Sequence, residues 1–119
     1  MYIYRVQHRK TGIGPYQSDS GFSFALTHAH NSGILERPAP EEDGLMGYSR
    51  SLLCAMPSLE SLLWWFEGFH SRLDHYGFEI VKVRAPKRAV KTGKTQVMYD
   101  PALSTIVKHF PIPVKRRRP

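Results

Sequence analysis

Arg5 is the one cation in a run of aromatic and β-branched residues, Tyr2-Ile3-Tyr4-Arg5-Val6. Successive side chains of a strand point to opposite faces, so Tyr4 and Val6 share one face and Arg5 takes the other. From there its guanidinium can grip a phosphate or carboxylate through two parallel N–H donors, or close an ion pair at a sheet edge. His8, beside Arg9 and Lys10, is a general base only if a carboxylate orients it, and the sequence names no such partner. The stretch Lys10-Thr11-Gly12-Ile13-Gly14-Pro15 follows. Gly12 and Gly14 allow close backbone approach, so the loop can cradle a phosphate or nicotinamide; a single Gly-x-Gly before proline is more commonly just a turn. Among the six histidines, His28-Ala29-His30 would put two imidazoles on one face of a strand. No nearby cysteine and no His-Glu-x-x-His pattern completes a zinc set, so no metal is expected.

A second kind of chemistry lies in the cations. Residues 1–81 hold 6 Lys or Arg against 9 Asp or Glu (net −3), and residues 82–119 hold 11 against 1 (net +10). Lys87, Arg88, Lys91 and Lys94 crowd one loop, and Lys115, Arg116, Arg117 and Arg118 form a terminal cluster. Such clusters neutralise phosphates by releasing counterions, which makes nucleic acid, a nucleoprotein or an acidic protein surface the expected partner. The competing reading of the terminal cluster alone is a solubilising, disordered tail.

These residues need elements to hold them. Tyr2 to His8 reads as a first strand, and Tyr48 to Ala55 as a second. Phe22 to His30 is ambiguous between a short helix and an irregular strand. The acid-, Pro- and Gly-rich stretch from Asn31 to Gly47 predicts a long surface loop of the kind that serves as a lid or binding element. Ser58 is a good N-cap, Glu60 suits the first turn, and Leu59, Leu62, Leu63, Phe66, Phe69, Leu73 and Tyr76 recur at helical spacing. The spacing predicts one long helix over Leu59–Tyr76, ended by Gly77, with Trp64 and Trp65 widening its apolar stripe as core and edge packing rather than as a base-stacking platform. Phe78 to Ala85 and Thr95 to Tyr99 read as strands joined by the basic link from Pro86 to Lys94. Thr105 to Phe110 reads as the last strand.

At 119 residues and 41% hydrophobic content the chain is sized for one domain, set at residues 1–110 and followed by a basic tail at residues 111–119. The strand-like start and the lack of an apolar run near the ~20 residues that span a bilayer predict an intracellular, cytoplasmic protein. Cys54, the only cysteine, admits no internal disulfide and reads as a buried core residue.

Thr95-Gln96-Val97-Met98-Tyr99-Asp100-Pro101-Ala102 resembles the strand that ends the catalytic domain of ADP-ribosyltransferases, especially the poly-ADP-ribose polymerase branch, in which a glutamate precedes apolar residues and Tyr-Asp-x-Ala. The first strand resembles that family's opening strand, whose Arg or His contacts NAD. Gly47-Tyr48-Ser49-Arg50-Ser51 loosely resembles the serine motif of the arginine-type enzymes. The resemblance implies an α+β fold, a small twisted, mainly antiparallel sheet packed by the one long helix. It also implies NAD or a related nucleotide as ligand, with Arg5 and Gln96 in the catalytic positions and His8, Gly12, Gly14, Tyr16, Ser49 and Thr95 around the cofactor. Thr95 stands where the transferase glutamate would be, and neither it nor Gln96 can carry the negative charge that stabilises a cationic ribosyl transition state. The leading expectation is therefore a domain of the kind found among small phage and mobile-element proteins that binds a nucleotide, with or without transferase activity. The alternative is a non-enzymatic basic protein that binds nucleic acid or a nucleoprotein, for example to block a host defence complex.

Overall fold

The computed structural model describes residues 1–15 and 52–114. β1 (Tyr2–His8), β3 (Phe78–Arg84) and β6 (Thr105–Phe110) form one antiparallel sheet with β3 in the middle. β2 (Leu53–Ala55), β5 (Val97–Tyr99) and β4 (Val90–Thr92) form a second antiparallel sheet, with β5 in the middle. A bridge between Tyr4 and Met56 joins the two: Tyr4 N donates to Met56 O at 2.9 Å and Met56 N to Tyr4 O at 2.8 Å. Among the described residues no helix is long and apolar enough to cross a membrane.

Alternation along β1 and β3 divides the core. Val6, Phe78 and Ile80 project to one face, where Leu62, Trp65, Phe66, Phe69 and Leu73 cover them. Ile3, Val81 and Val83 project to the other and meet Ala55, Val97 and Tyr99 of the second sheet. Strand β3 is thus covered at Phe78 and Ile80 on one side and at Val81 and Val83 on the other, which its apolar content permits. Ile112, past the last strand, is buried in the helix-side cluster.

The single helix expected over Leu59–Tyr76 does not form, and with it falls the ADP-ribosyltransferase-like picture of a sheet packed by one long helix. Two short helices take its place, α1 (Leu59–Trp65) and α2 (His70–His75). Gly68 lies between them at φ +88°. That is the left-handed region, which ends a right-handed helix and which glycine enters at little cost. Two tight turns, Glu67 N to Trp64 O and Phe69 N to Phe66 O, complete the break. The apolar spacing hides it, because Phe66, Phe69 and Leu73 are all buried on the same sheet face although they belong to different segments. Ser58 caps α1 by accepting from Ser61 N, and Ser61 returns a bond from Ser58 N. Of the expected stripe, Tyr76 is exposed; Trp65 is buried while Trp64 is exposed.

Other elements differ in extent. The described part of the Tyr48–Ala55 strand is β2 alone; Phe22–His30 and Asn31–Gly47 lie outside the described residues. The link Pro86–Lys94 contains a 3-10 turn, Lys87–Ala89, and all of β4. Three-residue strands rich in Lys and Thr leave too little periodicity to detect.

Candidate anion-binding sites

Strand β1 carries Arg5 inward. Its side chain lies opposite Val81 on the face that meets β2 and β5, and only 7% of the residue is exposed. Nη1 donates to the Cys54 carbonyl at 3.2 Å, and Nε is buried without a hydrogen-bond partner. No carboxylate pairs with it among the described residues. Burial drives the Arg5 pKa down, with Tyr99 and Cys54 acting in the opposite direction. Burial drives the Tyr99 hydroxyl up, partly offset by the nearby Arg5 charge. Gly14 rests on the guanidinium: a Cβ there would stand 3.0 Å from Nη2. The loop after β1 can close over Arg5 because that position has no side chain. Cys54, expected in the core, is half-buried.

The remaining nucleotide-site residues are spread along two sheets. Thr95 is half-buried and Gln96 buried, and both precede β5 rather than lying within it. Strand β2 stands between β1 and β5, so Arg5 and Gln96 are two strands apart. The Gln96 carbonyl accepts from Gly93 N at 2.9 Å and closes the β4–β5 turn. His8 Nδ1 accepts from Lys10 N at 3.2 Å, and its ring packs edge-on to Phe78 at 5.5 Å. No carboxylate orients that ring among the described residues. Gly12 N donates to the His8 carbonyl at 2.9 Å, with Gly12 at φ +74°. Tyr16, Ser49, His28, His30 and the cluster Lys115–Arg118 lie outside the described residues.

The basic residues are displayed outward. Lys87 and Arg88 sit on the 3-10 turn, Lys91 on β4 and Lys94 in the β4–β5 turn, all exposed. Among the described residues β4 is an edge of its sheet, where lysines also discourage strand pairing with other chains. Three further cations, Lys82, Arg84 and Lys108, escape a search for clusters because they are scattered in sequence; the β3–β6 register brings them together. The same register sets His109 Nδ1 2.7 Å from Glu79 Oε2, at an open cleft of about 250 Å3 lined also by Arg9, Phe78, Phe110 and Pro111. Thirty residues separate Glu79 from His109, and only strand pairing reveals the pair. Among the described residues no group of three or more His, Cys, Asp or Glu could hold a metal ion.

No curated protein and no solved structure matches the chain. A family model described as Bacteriophage T4 Y00F protein matches residues 1–113, nearly the whole length. The chain therefore belongs to the bacteriophage T4 Y00F protein family.

Proposed function

We propose that this phage protein is a non-enzymatic binding protein whose cationic C-terminal part engages nucleic acid. The supporting observation is charge without counter-charge. Lys82, Arg84, Lys87, Arg88, Lys91, Lys94 and Lys108 lie on β3, β4, β6 or the turns beside β4, and none is paired with a carboxylate among the described residues. The one acid in that segment, Asp100, is engaged by the Ala102 N–H as the cap of a 3-10 turn. A surface that serves solubility alone intersperses both signs. A mobility shift across salt concentrations tests the reading, using the full chain and a variant ending at Val114. Affinity for single strands should fall linearly in log–log form, the shorter chain losing roughly 0.7 of slope per lost phosphate contact. No shift at low salt, or a shift indifferent to salt, removes the proposal.

The buried guanidinium favours a second reading, a nucleotide such as NAD held by its phosphate at Arg5 under the Gly12–Gly14 loop. Its support is the unpartnered Nε in a site without a carboxylate among the described residues. Calorimetric titration with NAD, comparing the parent with Arg5→Ala, should give heat only in the parent. Equal heats, or none in either, overturn it.

A further inference from the structure

We infer that the part of the β1–β3–β6 sheet left uncovered by the helices is a stacking platform for single-stranded nucleic acid, an inference that rests on the polyanion reading above. Residues directly opposite in antiparallel strands project to the same face. The register therefore sets three rows side by side: Val6, Ile80 and Phe110; Tyr4, Lys82 and Lys108; Tyr2, Arg84 and Thr105. Helices α1 and α2 cover the first row, whose members all pack with the helix-side cluster. The other two rows reach solvent. Tyr2 is 50% exposed, Arg84, Thr105 and Lys108 are exposed, and Tyr4 and Lys82 are half-buried.

Two features of these rows point to a ligand. Lys82 and Lys108 are directly opposite each other, an arrangement that repels and destabilises a sheet unless an anion lies between them. Arg84 adds a third cation on the same face, and no acid occupies either row. The cations are also interleaved with rings: Lys82 Nζ lies 4.4 Å from the Tyr2 ring centroid, and Lys108 Nζ 5.6 Å from that of Phe110. An exposed ring beside cations on a pleated surface matches what unpaired bases require, a π-face to stack on and positive charge along the backbone. Duplex DNA keeps its bases stacked inside and offers Tyr2 nothing, and an acidic protein would use the lysines without the ring.

Fluorescence anisotropy of a labelled oligo-dT of about a dozen nucleotides separates these cases. The arms are an abasic strand of equal length, a duplex and poly-glutamate, each titrated with the full chain. Tyr2→Ala should weaken oligo-dT binding about tenfold or more while leaving abasic binding and the salt slope unchanged. Tyr2→Phe should restore it, and unchanged thermal melts of both variants show that the fold persists. Lys82→Gln with Lys108→Gln should lower the salt slope by about 1.4, roughly 0.7 for each contact. If abasic and normal strands bind alike, or if Tyr2→Ala has no effect, the platform is overturned while the polyanion reading stands. Preference for duplex or poly-glutamate likewise overturns it. If no anion binds at low salt, both fall together.

Discussion

A guanidinium held among apolar side chains, with one hydrogen bond among the described residues, costs the fold more than it returns. Withdrawing a charge from water costs roughly several kcal/mol, and among the described residues a single carbonyl answers one of five N–H donors. Arg5→Met keeps the unbranched stem and removes the charge, so we expect urea denaturation to show a gain of roughly 1 kcal/mol or more. A loss of several kcal/mol would mean that the guanidinium ties the two sheets together. Tyr99 gives a test in pH. Burial raises its pKa in the folded chain, so above about 10 the unfolded chain loses the proton first. Its contribution is complete below that value and is lost as pH climbs toward the folded one. Arg5 is shifted the other way, but a guanidinium keeps its proton in proteins and adds no competing slope here. Thermal melts from about pH 8 to about pH 11 should therefore show a steeper alkaline decline in the parent than in Tyr99→Phe. The alternation from Tyr2 to Val6 is enough to put Arg5 on the face away from Tyr4 and Val6. What covers that face is not local: the acceptor is 49 residues away, and no short-range pattern encodes it.

At the scale of elements, the glycines that punctuate the helical region decide how the sheet is covered. Gly68 has open space around a built Cβ but sits at φ +88°, so Gly68→Ala should cost roughly 1–2 kcal/mol, the penalty for an L-residue in that region. Gly77, at φ +89°, also has His8 Nε2 only 2.9 Å from where a Cβ would be. Gly77→Ala should therefore cost more than Gly68→Ala in the same urea titration; the reverse order would show that His8 swings away freely. Helical spacing identified apolar residues that do bury together, yet spacing cannot distinguish one helix from two that share a face. Glu67-Gly68-Phe69 was the available signal. In the same way, the basic stretch before Thr95 conceals β4, whose three residues pair with β5 but are too few and too polar to read as a strand.

Over the whole molecule, the two faces of the β1–β3–β6 sheet have different tasks. One meets the second sheet at Ile3, Val81 and Val83, and the other is shared between helices and an open cationic area. The charge asymmetry behind that division is plain in the sequence, because it is a matter of counting. The division itself is not, because Lys82 and Lys108 become neighbours only through strand pairing. Among the described residues, β6 ends this sheet and exposes Ile106 and Val107. The pairing of β6 with β3 skips Val107: Ile106 faces Val83, Lys108 faces Lys82, and the register shifts between Lys82 and Val83. That surplus residue bends the outward rim, so a neighbouring polypeptide cannot zip along all of it. Deleting Val107 would straighten the rim into a continuous strand edge open to other chains. Light scattering should then report concentration-dependent self-association absent from the parent, and a deletion variant that scatters like the parent would show that something other than this kink keeps the molecules apart.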